Sequence, residues 1–218
     1  MCYNAGVERL KPLTSLFPPS VAIPARDEVN AMARPVVPVR SMDGEWQAMH
    51  WLLIPPWVAD SKEFRTLKIW LANARIEELE DKKLYRPLVG DRRCIVRFSW
   101  FFEWRHEHGR KLKHRVFLPD DTPLLLPGLC HRTEVDGQPY DSFTVCTMEA
   151  RGIMRYVHNS TLRQPVVVNE AGAAAWLDRT ASLDEAREAV LSQELSGEFR
   201  TDPPARSNAG EPEQPGLF

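Results

Sequence analysis

Chemistry is to be expected first at the second residue, Cys2. A residue as small as cysteine after Met1 lets an aminopeptidase remove the methionine. The mature chain then begins with a free α-amine beside a thiol. These two groups act together on an aldehyde: the amine condenses to an imine, and the sulfur closes on the imine carbon to give a five-membered thiazolidine. An internal cysteine cannot do this. The amine titrates near ~8 and the thiol near ~8.5, so both are partly nucleophilic at neutral pH. Taken alone, a cysteine beside the initiator is more simply an accident of position. Three other groups change that weighting: Asn73 in Asn73-Ala74-Arg75-Ile76-Glu77, Glu103 in Trp100-Phe101-Phe102-Glu103-Trp104, and His158, which precedes Arg163-Gln164-Pro165. Imine formation takes a proton from nitrogen and gives one to a departing hydroxyl, transfers that suit a carboxyl between aromatics and an imidazole. Against this, strand alternation more often turns a lone glutamate to solvent, and a lone loop histidine is most often exposed.

The elements that must position these groups read mainly as strands. Val36–Val39 has the pattern of a short edge strand, because Pro38 cannot donate to a central ladder. Trp46–Ile54 is a strand by alternation, and 93–104 is the strongest strand signal in the chain. Lys111–Leu118, Thr122–Leu129, Ser142–Met148 and Val166–Val168 are further strands, with turns at Met42–Glu45, Gly109 and Val135–Gln138. Helices are expected near Ser61–Leu67, over Glu77–Leu84, over Glu170–Leu177 capped by Asn169, and over Leu183–Leu195, where Ser182 and Glu185 form a capping box. Regularly spaced short strands with few helices give an α+β domain with a mainly antiparallel, barrel-like β core and a few peripheral helices. The domain is expected to span 1–197. From 198 to 218 the composition shifts to Pro, Gly, Glu and Ser, the signature of a disordered tail.

With 218 residues, 43% of them hydrophobic, the chain can bury one sizeable core. A net charge of −2 confines any nucleic-acid surface to a local patch. The cysteines Cys2, Cys94, Cys130 and Cys146 form no CxxC pair, which argues against a structural zinc site, and no other metal or cofactor is implied. Charged residues interrupt the first apolar run, and no run reaches the ~20 residues of a membrane span. The expectation is a cytoplasmic monomer with no membrane contact.

Taken together, Met1-Cys2, Asn73-Ala74-Arg75-Ile76-Glu77, Trp100–Trp104, His158–Pro165 and the strand end Trp51-Leu52-Leu53-Ile54-Pro55-Pro56-Trp57 resemble the SRAP (SOS-response-associated peptidase) family, in order and spacing, from residue 2 to about 178. Leu52 and Trp100 stand where that pattern usually has glycine, and Gln164 where it has methionine. The resemblance implies a protein that senses abasic sites in single-stranded DNA and crosslinks through Cys2 to the ring-opened C1′ aldehyde, associating with the nucleoid when bound to DNA. It implies Asn73 positioning the amine or sugar, Glu103 as acid/base, and His158 orienting and protonating the sugar oxygen. It also implies a self-catalysed release of Met1. In outline, Arg75, Arg163 and Lys83 would bind phosphates, Trp57 would stack on a base, and Thr147 would line the pocket. Two other readings share the residues: a cysteine peptidase or amidohydrolase using Cys2 and His158 with Glu103 orienting the imidazole, and a non-covalent single-strand-binding β-domain in which Cys2 is irrelevant.

Overall fold

The computed structural model describes residues 3–7, 26–44, 46–55, 57–66 and 71–203. In chain order the strands among them are β1 (Asn4–Val7), β2 (Arg26–Asn30), β3 (Val36–Ser41), β4 (Trp46–Trp51), β5 (Asn73–Arg75), β6 (Arg93–Phe98), β7 (Trp100–Glu107), β8 (Arg110–Phe117), β9 (Leu124–Val135), β10 (Gln138–Glu149), β11 (Arg163–Pro165) and β12 (Arg200–Asp202). The helices are α1 (Ser61–Thr66), α2 (Ile153–Val157), α3 (Glu170–Leu177) and α4 (Leu183–Ser192).

Strands β10, β4, β3, β6 and β9 pair in that order, and β9 pairs back to β10, so this part of the sheet closes on itself as a barrel. Closure leaves these strands without free edges. The β4–β10 pair is parallel and the others are antiparallel. A second, antiparallel sheet has the order β12-β8-β7-β1-β2. Trp51, Phe98, Phe101 and Phe143 are fully enclosed in the main core, with Trp51 5.0 Å from Phe98 and 6.3 Å from Phe143, ring centre to ring centre. Helices α3 and α4 close a second core around Trp176, whose indole donates to Gly128 O at 3.0 Å. Among the described residues no helix is long and apolar enough to cross a membrane.

The run 93–104 is two strands rather than one. Ser99 donates its N–H to Gly6 O at 2.9 Å, the chain bends there, and β6 enters the barrel while β7 joins the outer sheet. Around the bend, Phe98, Trp100, Phe101 and Phe102 continue the apolar run with only Ser99 between them, so periodicity carried no mark of the break. Strand β3 is not an edge strand: it lies between β4 and β6. Its ladder with β6 covers only Val39–Ser41, so Pro38 faces one partner, Ala48 of β4, and its missing N–H costs nothing on the other side. The stretch 77–84 contains no α-helix; Ile76–Glu78 is a 3-10 turn followed by further turns. Burying Ile76, Leu79, Tyr85 and Leu88 in the second core outweighs the local helix propensity of so short a segment. Val166–Val168 makes only isolated bridges, from Val168 to Leu125 and Glu194. Beyond residue 197 the chain continues into β12, which pairs with β8; residues 204–218 lie outside the described residues.

Two positions that depart from the SRAP pattern have structural consequences. Leu52 takes a φ of 103°, a region that favours glycine and costs an L-residue about 1–3 kcal/mol; the leucine is held there by burial and by its N–H bond to Phe143 O at 3.1 Å. Trp100 lies directly over its cross-strand partner Gly6, where a Cβ would come within 2.0 Å of the indole. The large residue on β7 therefore requires a residue without a side chain on β1.

Candidate active site

The β7–β8 hairpin sets the first half of the site. His108 and Gly109 both have positive φ, the tight turn that matches strand twist, and this fixes the register Glu107↔Arg110 through Glu103↔His114 to Phe101↔Val116. Phe101 and Val116 belong to the core, and alternation carries Glu103 and His114 to that same inner face. Phe102 and Trp104, by contrast, are half-buried. Glu103 is 2% exposed, and burial pushes its carboxyl up to about 7.

The second half is the loop after α2. His158 caps that helix, donating its N–H to Met154 O at 2.8 Å, and the loop returns through Leu162 N–H to His158 O at 3.1 Å. His158 is 5% exposed, not a surface residue. Its Nδ1 lies 2.6 Å from Arg163 O; a carbonyl only accepts, so Nδ1 carries the hydrogen. Nε2 then holds the lone pair of the neutral ring, accepts from Thr161 Oγ1 at 3.0 Å, and stands 3.8 Å from Glu103 Oε2. Burial pulls the His158 pKa down to about 4, against the hydrogen bond to Arg163 O. At neutral pH the contact is therefore a neutral imidazole beside a carboxyl near half-protonation, not an ion pair.

Strand β10 joins this pair to the remaining residues. Thr147 pairs with Arg75 of β5 on one side and Pro165 of β11 on the other. Asn73 is buried on β5 opposite Val145. Arg163, 8% exposed, forms an ion pair with Glu77 and donates to Thr147 O at 2.8 Å and Thr147 Oγ1 at 3.2 Å. Arg163 thus links the His158 loop to Thr147 and the β5 end. Arg163→Ala would strand the buried Thr147 carbonyl and free Glu77, so urea unfolding should show a loss of about 2–3 kcal/mol. Gln164, in place of the pattern's methionine, is satisfied in a buried position: its Oε1 accepts from Arg151 N at 2.7 Å and its Nε2 donates to Glu194 at 3.1 Å.

Arg75 is exposed and held by Glu78 at 2.8 Å, Lys83 is exposed on the turns that follow, and Trp57 is 57% exposed. Cys2 lies outside the described residues. Three contributors escaped the sequence reading. Thr161 holds His158 Nε2, His114 sits across from Glu103, and Asn159 clamps the hairpin through both its amide atoms to the His106 backbone, at 2.9 and 2.8 Å. The His-x-x-Thr spacing was a usable signal for Thr161, and Asn159 stood inside the His158–Pro165 motif without a role; nothing local marked His114.

A closed barrel flanked by an antiparallel sheet, with a buried carboxyl–imidazole pair beside the strand that leads from the chain start, defines the class of this protein. The family model described as SOS response associated peptidase (SRAP) matches residues 10–203, and the chain belongs to that family. It is similar to the abasic site processing protein YoqW of Bacillus subtilis, 28% identical over 132 residues that cover 60% of this chain and 56% of that protein. It is also similar to the abasic site processing protein HMCES of Xenopus tropicalis, 25% identical over 152 residues and 44% of that protein. The chain thus spans about half the length of these curated relatives. Its fold matches a crystal structure of a protein from Bacteroides thetaiotaomicron with a TM-score of 0.80 at 21% identity, covering 92% of this chain and 90% of that one.

Proposed function

We propose that this protein traps abasic sites in single-stranded DNA as a covalent adduct on Cys2, once Met1 has been removed. The observation that carries this reading is the buried Glu103–His158 pair beside β1. Asn4 of β1 pairs with Phe102, next to Glu103, and Cys2 is two residues before Asn4, within ~7 Å of chain. The α-amine would add to the C1′ aldehyde of the lesion. Glu103, near half-protonation at neutral pH, would protonate the departing hydroxyl as the imine forms, and the thiol would then add to the imine carbon. His158, neutral and accepting from Thr161 through Nε2, would accept and orient a sugar hydroxyl that takes the place of Thr161 there; we assign proton donation to Glu103 rather than to the imidazole. Asn73 would position the amine or the sugar from β5.

The exposed Trp57 suits stacking on a base, and Arg75 and Lys83 suit phosphates. Arg163 and Thr147 act in this reading from beneath, by fixing the His158 loop. Arg75→Ala should therefore lower the salt-dependence slope of single-strand binding by about 0.7, the share of one phosphate contact. Arg163→Ala should leave the slope unchanged while lowering stability; a reduced slope in that variant would place Arg163 on the DNA.

The hydrolase reading asks for a carboxylate on the Nδ1–H of the imidazole and a free Nε2 facing the thiol. Here Arg163 O occupies Nδ1 and Glu103 stands on the Nε2 side, which supports the aldehyde-trapping reading over the relay. The direct test is incubation of the purified protein with a single-stranded abasic-site oligonucleotide, followed by a denaturing gel. A shifted covalent band is expected, absent with an intact oligonucleotide; no band in protein confirmed to lack Met1 would refute the proposal.

A further inference from the structure

Two cysteines away from this site form a second reactive arrangement. Cys94 on β6 pairs with Gly128 of β9, which places Cys130 two residues further along β9, diagonal to Cys94 on the same face. Both belong to the main core, and the Cys130 thiol donates to Arg92 O at 3.4 Å. Their surroundings differ. Cys94 is completely enclosed, and burial pushes its thiol well above the ordinary range. Cys130 is 6% exposed and lines a cleft of about 90 Å³ together with Arg92, His131 and Arg132. The neighbouring Cys94 thiol pulls the Cys130 thiol below the ordinary range, aided by the Arg92 charge and opposed by burial, Asp141 and Asp43. The cleft exceeds the space one water needs several-fold, so a small hydroperoxide fits. Cys146 is fully buried and its thiol is pushed up.

We propose that Cys130 is a peroxide-reactive thiol and Cys94 its resolving partner, so that a hydroperoxide entering this cleft converts the pair to a disulfide between β6 and β9. The Cys130 thiolate attacks the O–O bond, forming a sulfenic acid and releasing an alcohol, or water from hydrogen peroxide. The Cys94 sulfur then attacks the Cys130 sulfur; the S–S bond forms, and the hydroxyl leaves as water with the Cys94 proton. The two electrons that reduce the peroxide come from the two thiols. Diagonal positions on paired strands stand about 7–8 Å apart, and a disulfide holds α-carbons within about 6.8 Å, so the strands must draw together by about 1 Å. A bond closed under that strain is readily reduced by cellular thiols, which makes the modification reversible. None of this depends on the DNA reading.

The test uses the full chain treated with hydrogen peroxide, alkylated, and digested without reductant for mass spectrometry. Cys2 serves as the dose control. The expected product is a linked pair of peptides containing Cys94 and Cys130, about 2 Da below the sum of the reduced peptides, with Cys146 unoxidised. In Cys94→Ala the sulfenic acid should persist, and dimedone should label Cys130 at least about tenfold more than in the native protein. Recovery of both cysteines reduced at a dose that oxidises Cys2 would overturn the proposal, as would labelling of Cys146 equal to that of Cys130. The linked pair in native protein decides the matter even if the variant fails to fold.

Discussion

Replacing Cys2 with serine should remove nearly all crosslink that survives heat and detergent, while leaving a product that borohydride can capture. Serine keeps the α-amine, so the imine still forms, but its hydroxyl closes poorly on the imine carbon. An open imine hydrolyses in water, whereas sulfur closure removes the C=N bond that water attacks. Acetylating the N-terminus should abolish both products, because the amine itself is gone. A relay in which the thiol acts alone predicts the reverse: indifference to acetylation and no borohydride-dependent product. A stable adduct from N-acetylated protein would exclude the thiazolidine route even if Cys2 proved essential. Intact mass should show Met1 absent from every crosslinking-competent preparation.

Glu103→Gln should slow covalent capture by about 10²-fold or more and leave the affinity for intact single strands unchanged, because an amide fills the same space but transfers no proton. The native rate should fall on the alkaline side of about 7 as Glu103 loses the proton it donates; the variant should lack that limb. Stability carries a second signature. Between the ordinary carboxyl value of 4.5 and about 7, folded Glu103 keeps a proton that the unfolded chain has released, so its contribution falls as pH rises through that window. His158 acts in the opposite sense: between about 4 and 6.5 the unfolded chain binds the extra proton, and stability rises with pH. The substitution removes only the first effect, so the variant should lose less stability than the native protein between about pH 5 and about pH 8 in urea titrations. Equal capture rates, or parallel stability curves, would leave Glu103 as an ordinary strand residue.

Part of this was written in the sequence because it depends on neighbours along the chain. Asn169 accepts from Gly172 N and opens α3, and Ser182 and Glu185 close the capping box of α4, as their spacing indicated. The turns at His108-Gly109 and Asp136-Gly137 both take positive φ and set the registers of the long hairpins. Residue types at matched spacing, from Asn73 to His158, sufficed to indicate the family. What the chain alone left undecided was orientation and desolvation. Glu103 has aromatics on either side, and alternation alone favoured a solvent-facing carboxylate; Phe101 and Val116 commit that face of the hairpin to the core and bury it instead. His158 reads as a polar loop residue; only the closure of its loop onto Arg163 and the approach of β7 bury it, fix its hydrogen on Nδ1, and set it beside Glu103. The bend at Ser99 depends on Gly6, far away in sequence, and the burial of Ile76, Leu79, Tyr85 and Leu88 overrides a local preference for helix. Caps and turns are satisfied by atoms a few residues away, whereas a pKa is set by what excludes water, and here that comes from strands and loops brought together from across the chain.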